Sequence, residues 1–246
     1  MIIKDISKIL TIDKLMKRAK WLEGKTLIQA VKEINQSDGD TRVSTKAGVG
    51  YAIEEGFFGI KKNSTAGADI AHLGVEIKTC PLKYSADRTK LSVKEPLSLN
   101  IINYTKEVNK RTLLESSLYA KNKKVLFVFY IHDDTVERSQ YVIKYVFLWE
   151  MDAQVIAELE PDYEKIIASI LDGKAHEIHQ YQHEYLTLCP KHSGTFNDPL
   201  DRKSKTVQPF SNSPAEIRAY RLKNSYMNMV ICREYGFEVS KGGWTI

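Results

Sequence analysis

Apolar residues recur at helical spacing over Asp13–Leu22 and again over Thr26–Ile34, predicting two amphipathic helices broken around Gly24 and followed by a polar turn, Gln36-Ser-Asp-Gly-Asp40. A third, shorter helix is read over Lys46–Gly59, with Val49, Ile53 and Phe57 as its apolar stripe and Gly59 closing it. The period then changes. From Leu73 to Cys80 the pattern alternates, with Val75, Ile77 and Thr79 on one side and Glu76 and Lys78 on the other, as a half-buried strand requires. Runs rich in Val, Ile, Phe and Tyr predict further strands at Pro96–Tyr104, Val125–His132 and Tyr141–Trp149. Two helical segments follow, Asp152–Leu159 and, beyond Pro161, Asp162–Leu171. Tyr185–Cys189 reads as a strand feeding a polar segment from Pro190 to Ser213. Ser213-Pro214-Ala215-Glu216 has the form of a capping box with proline at the first helical position, opening a last helix that carries Arg218, Arg221 and Lys223 and ends near Gly236. This mixed order predicts an α/β fold, a central mixed β-sheet flanked by helices.

At 246 residues and 43% apolar content the chain can bury a full core, and a single domain over residues 1–246 is expected. No apolar run approaches the roughly 20 residues of a membrane span, and Met1-Ile-Ile-Lys-Asp5 lacks the shape of a signal peptide, so a cytoplasmic protein without membrane contact is expected. Cys80, Cys189 and Cys232 are widely spaced and odd in number, reading as reduced thiols. The net charge of +5 suits a polyanionic partner but also many solvated enzymes.

Chemistry narrows this. Period two points Glu76 and Lys78 the same way, and Asp69 arrives from the preceding turn. Two carboxylates beside an ammonium are what hydrolysis of a DNA backbone needs: Asp69 and Glu76 to hold Mg2+, a hard cation that takes one or two carboxylates and keeps several waters, and Lys78 beside the attacking water. The same residues also describe a surface strand bearing a Glu-x-Lys ion pair. Glu54, on the third helix beside its stripe, is a candidate to reach a second metal or the water, or else an ordinary solvated glutamate next to Glu55.

The run Lys46-Ala-Gly-Val-Gly-Tyr-Ala-Ile-Glu54, then Asp69, then Leu73-Gly-Val-Glu-Ile-Lys-Thr79 resembles the active-site segment of the family joining the mismatch-repair nicking endonuclease MutH to GATC-cleaving type II restriction endonucleases. Leu99-Asn-Ile-Ile-Asn-Tyr104, Gly173-Lys-Ala-His-Glu177 and the stretch holding Leu222-Lys223 and Tyr226-Met227 are more similar to the restriction branch. The resemblance implies a restriction-endonuclease-like core, cleavage at GATC, catalytic roles for Glu54, Asp69, Glu76 and Lys78, with the three carboxylates as metal ligands, and a backbone-contacting or site-organising role for Lys46. It also implies double-stranded DNA as partner, together with a second copy or a missing C-terminal half.

DNA recognition is expected in residues 185–246, as a smaller lobe. The polar segment carries Lys191, His192, Arg202, Lys203 and Lys205, residue types that read guanine edges or hold phosphates, though a solvated loop has the same composition. By resemblance Lys191 and Arg221 fall where MutH contacts its recognition sequence, with Lys223 nearby, while Cys189 stands where MutH has arginine. His176, His179 and His183 do not form a His-Glu-x-x-His motif, and Cys189-Pro-Lys-His192 has no matching second pair, so zinc is not expected. A mismatch-repair nickase and a catalytically silent DNA-binding module are the alternatives, and intact Asp69, Glu76 and Lys78 argue against the silent one.

Overall fold

A computed structural model describes residues 6–35, 48–60, 67–191, 205–240 and 242–245. In chain order its main elements are α1 (Ile12–Lys20), α2 (Leu27–Asn35), α3 (Gly48–Tyr51) running into a π-helix (Ala52–Phe57), β1 (Glu76–Tyr84), β2 (Lys90–Val93), β3 (Leu97–Ile101), α4 (Tyr104–Glu107), α5 (Ser117–Asn122), β4 (Lys124–Ile131), β5 (Ile143–Glu150), α6 (Ala153–Leu171), β6 (Leu186–Pro190), β7 (Lys205–Thr206), β8 (Ala215–Glu216), β9 (Arg218–Leu222), α7 (Asn224–Tyr235) and β10 (Trp244–Thr245). They cluster into two compact units. One gathers the described residues up to Glu95, Lys124–Glu150 and those from Ile231 on; the other gathers Pro96–Lys123 and Met151–Val230. No described helix is long and apolar enough to cross a membrane.

The first unit holds a mixed five-stranded sheet in the order β10-β2-β1-β4-β5, with β1 parallel to β4 and the other pairs antiparallel. The expected central mixed sheet with flanking helices is present. Its two faces follow from the period-two register Glu76↔Val125, Ile77↔Leu126, Lys78↔Phe127. Ile77, Leu126 and Val128 turn to the side packed with Leu15, Ile53 and Phe57 from the helices. The opposite side carries an aromatic layer in which Phe127 meets Phe147, Phe147 meets Tyr235, and Phe237 stacks on Trp244. The last strand can lie so close only because residue 243 is glycine: at its φ of 128° a Cβ would sit 1.8 Å from the Leu91 carbonyl oxygen.

In the second unit β9 lies between β3 and β6, both antiparallel to it. Tyr163 of α6 meets Tyr220 of β9 with ring centroids 6.4 Å apart. Two expectations fail here. Residues 153–171 form one helix with Pro161 inside it, not two segments broken at the proline. Pro161 removes one N–H, but the buried stripe Val155, Leu159, Tyr163, Ile166, Ile167 and Ile170 is continuous across it, and burial of that stripe outweighs a lost hydrogen bond. Nor does a helix open at Ser213-Pro214: Ala215–Glu216 and Arg218–Leu222 are strands, and the helix begins at Asn224. The capping pattern is a local signal, whereas Arg218–Leu222 has a strand available on each side to pair its backbone. Arg218 and Arg221 therefore sit on a strand, not on a helix surface.

Asp162, just after the proline, fixes the start of β6. Its buried carboxylate accepts the backbone N–H groups of Glu184, Tyr185 and Leu186 at 2.6–3.0 Å. Burial alone pushes its pKa up, but the three amides more than offset this and hold it below the usual carboxylate range.

Candidate active site

Asp69 and Glu76 are joined by a tight hairpin. Ile70 and Val75 bridge each other, with Ile70 N–H donating to Val75 O at 2.9 Å, and the turn between them closes through Gly74 at φ 66°. That turn sets the two carboxylates side by side. The Asp69 backbone N–H donates to Glu76 Oε2 at 3.2 Å, and the Ile77 N–H donates to Asp69 Oδ2 at 2.9 Å. Lys78, two residues along β1 and so on the same side, donates from Nζ to Glu76 Oε1 at 2.6 Å. The Glu76 side chain is 2% exposed and that of Lys78 21%. A carboxylate so buried is tolerated because a cation and an amide satisfy it, which separates this arrangement from an exposed Glu-x-Lys pair.

The third helix brings Glu54 to the same strand. Phe58 N–H donates to Ile53 O five residues back, the mark of a π-turn, a form that concentrates at functional sites. Val49, Ile53 and Phe57 are buried as the stripe predicted, and Arg18, itself buried, donates to the Phe57 carbonyl while lying over the Phe57 and Phe58 rings. Gly56 lets α2 pack closely, since a Cβ there would come 2.8 Å from Val31 Cγ2. A Cβ on Gly50 would lie 3.6 Å from Glu54 Oε1 and 3.9 Å from Thr79 Oγ1, so Glu54 borders β1 beside Thr79. Thr79 is on the helix side of the sheet and Glu76 and Lys78 on the other. The structure thus brings Asp69, Glu76 and Lys78 together and leaves Glu54 adjacent, with no group of three His, Cys, Asp or Glu side chains among the described residues assembled to hold a metal ion.

The donor set still fits a hard divalent cation at Asp69 and Glu76. Two carboxylates are the protein ligands such an ion takes when waters complete its shell, and Asp69 Oδ1 accepts no hydrogen bond among the described residues.

Of the residues expected to touch DNA, Lys46 lies outside the described residues, as do His192, Arg202 and Lys203. Lys191 is exposed at the end of β6, its backbone N–H donating to Ile217 O at 2.7 Å. Arg218 is spent internally, donating to the Ile178 carbonyl and to Glu216 Oε2. Arg221 and Lys223 line a cleft of about 290 Å3 in the second unit, together with Pro96, Gln180, Tyr181, Thr187, Asn224 and Ser225. Sequence reading missed Tyr181, Thr187 and this cleft, whose walls come from separate stretches of chain. His183 and His176 serve locally, against Thr187 Oγ1 and the Gln208 side-chain amide. The cysteines are free and buried.

The family model described as DNA mismatch repair enzyme MutH matches residues 58–162. The chain is 35% identical over 228 residues to the type II restriction enzyme Sau3AI of Staphylococcus aureus, covering 92% of this chain and 43% of that enzyme. It is 27% identical over 181 residues to the DNA mismatch repair protein MutH of Actinobacillus pleuropneumoniae serotype 5b (strain L20), covering 73% of this chain and 76% of the relative. With MutH of Shewanella baltica (strain OS185) it shares 27% over 236 residues, 92% and 96% of the two chains. It therefore spans less than half the length of Sau3AI and most of the length of the MutH proteins. The Asp69–Glu76–Lys78 group lies inside the region matched by the MutH model, on a mixed sheet flanked by helices, and accompanies the chain's similarity to both MutH and Sau3AI.

Proposed function

We propose that this chain is a Mg2+-dependent, sequence-specific DNA endonuclease that hydrolyses a phosphodiester bond at GATC, as a type II restriction enzyme or its catalytic half. The observation that carries the reading is the buried Glu76 carboxylate held between the Asp69 N–H and the Lys78 ammonium. The names of two kinds of relative, a restriction enzyme and a mismatch-repair protein, support action on DNA.

Asp69 and Glu76 would hold the ion, which when bound supplies charge neutralisation at the phosphate and an acidified water. The overall reaction adds water across one P–O bond: the water oxygen stays on phosphorus and the displaced ester oxygen leaves as a hydroxyl. Lys78 has three N–H donors, one of them on Glu76 Oε1. The others orient the attacking water and stabilise charge building on the phosphate oxygens. Glu54 supports the site from the helix side through Thr79. Lys46, Lys191, Arg221 and Lys223 contribute to DNA binding. Because the chain spans 43% of Sau3AI, a second copy or a C-terminal half completes the enzyme in this reading.

A MutH-like nickase is the second reading, favoured by the near end-to-end match with the Shewanella protein. Matched plasmids unmethylated, hemimethylated or fully methylated at GATC adenine separate the two. Double-strand cuts in unmethylated plasmid with Mg2+, absent with chelator, are expected. Nicks confined to hemimethylated plasmid would favour the repair reading, and binding without cleavage would mean a silent module or an incomplete enzyme.

A further inference from the structure

Arg18 is a charge on the apolar stripe of α1. Leu15, Arg18, Ala19 and Leu22 follow one another at helical spacing and all are buried, Arg18 at 4% exposed. An apolar side chain would fill that place without the cost of desolvating a cation, so the charge calls for a reason. The guanidinium reaches the end of the π-helix. It donates to the carbonyl of Phe57, the last residue of that helix, and lies 5.0 Å over the Phe57 ring and 5.4 Å over that of Phe58. Trp21, three residues further along α1 and so on the same face, stacks on the Phe57 ring with centroids 5.8 Å apart. Two side chains of α1 therefore grip one end of the π-helix.

The grip falls where that helix needs it. The last carbonyls of a helix have no N–H ahead of them in the helix to accept from, and a basic side chain that donates to one also suits the negative end of the helix dipole. The π-turn is the rarer winding, so what holds it matters. Here the same turn fixes Glu54 through its backbone. The Ile60 N–H donates to Glu54 O at 2.9 Å and the Gly59 N–H to Glu55 O at 3.2 Å, beside the bond from Phe58 N–H to Ile53 O that defines the winding. Rewinding to the α-helical register would turn every residue before Phe57 about the helix axis and take Glu54 from its place beside Gly50 and Thr79. We propose that Arg18 is a positioning residue for strand cleavage, clamping the π-turn so that its winding holds the Glu54 carboxylate at β1, next to Asp69, Glu76 and Lys78. This rests on the DNA-endonuclease reading and deepens it with a residue that acts through Glu54.

The test is a double-mutant cycle of Arg18→Met with Glu54→Gln, with Arg18→Lys alongside. Single-turnover cleavage of a GATC duplex in Mg2+, affinity for the same duplex in Ca2+ and amide hydrogen exchange of the metal-free chain are measured on each variant, at a temperature where all are folded. Methionine keeps the length of the side chain and removes its donors. Arg18→Met is expected to slow cleavage by about 10- to 100-fold, as deeply as Glu54→Gln, with affinity nearly unchanged and exchange faster over residues 52–60 without metal. Added to Glu54→Gln it is expected to slow cleavage no further, because the group it positions is already altered. A merely structural role would not produce that coupling, since its loss would multiply with the other. Arg18→Lys keeps a charged donor without the planar fork, and should retain more of the rate than Arg18→Met. Losses that multiply in the double variant overturn the proposal and leave Arg18 to the core. If Arg18→Met does not fold, Arg18→Lys enters the same cycle: a loss that vanishes beside Glu54→Gln supports the role, and one that persists overturns it. Full cleavage by Arg18→Met while Glu54→Gln is slowed overturns the role of Arg18 alone, whereas no cleavage by the unaltered chain overturns the endonuclease reading and this role with it.

Discussion

The two polar sites of this molecule are built in opposite ways. On β1 three reactive side chains come from ten consecutive residues, Asp69 to Lys78, and a single hairpin turn is enough to assemble them. The cleft in the second unit draws on Pro96, on Gln180 to Thr187 and on Arg221 to Ser225, so that only the finished sheet brings its walls together. The first site also pairs its charges, Glu76 with Lys78 at 2.6 Å, while the second leaves the Arg221 guanidinium without an acidic partner among the described residues. A site with two carboxylates and one ammonium keeps a surplus negative charge that suits a cation, while a cleft with surplus positive charge suits an anion.

The contrast can be sharpened by substitution, beginning with the carboxylates. Asp69→Asn and Glu76→Gln are expected to reduce the single-turnover cleavage rate by roughly 1,000-fold or more, with poor rescue by Mn2+; full activity in either would remove β1 from the chemistry. Glu54→Gln, which alters a neighbour and not the hydrogen-bonded group itself, should cost less, about 10- to 100-fold in the same assay. A loss as deep as that of Asp69→Asn would make Glu54 an equal member of the site.

Smaller effects fall on the second unit's frame. Asp162→Asn keeps the shape but gives up the charge that accepts three amides, and about 1–3 kcal/mol of stability should go with it in a urea titration. The pH dependence has a definite sign. Because the folded-state pKa of Asp162 is depressed, its contribution is fully present above its ordinary value of 3.8 and fades as pH falls through the lower folded value. The unaltered chain should therefore lose stability more steeply than Asp162→Asn in that acid window. Parallel curves would show that the amides contribute nothing through the carboxylate's charge.

Much of the first unit was legible because its signals are local. The alternation through Val75, Glu76, Ile77 and Lys78 predicts both the strand and the side each residue takes, and Gly59, at φ 71°, ends the third helix where expected. The π-turn within that helix was not readable, since nothing in Ala52–Phe57 distinguishes an i+5 from an i+4 hydrogen bond before Gly56 meets Val31. In the second unit local signals misled. Pro161 looked like a break and Ser213-Pro214 like a helix start, but both were overruled by partners remote in sequence, the buried stripe of α6 in one case and the flanking strands of β9 in the other. Tyr181 gave no signal at all, because a single tyrosine among histidines and glutamines acquires meaning only when Thr187 and Arg221 arrive beside it.

The central claim is that Lys78 acts in the chemistry and not in holding DNA. Its direct measurement is single-turnover cleavage of a GATC duplex in Mg2+ by the unaltered chain and by Lys78→Ala, with affinity measured in Ca2+ on the same preparations. Cleavage lost by roughly 1,000-fold with affinity nearly unchanged is the predicted result. Cleavage retained by Lys78→Ala, or lost only in proportion to binding, would contradict it and return Glu76 and Lys78 to a structural ion pair.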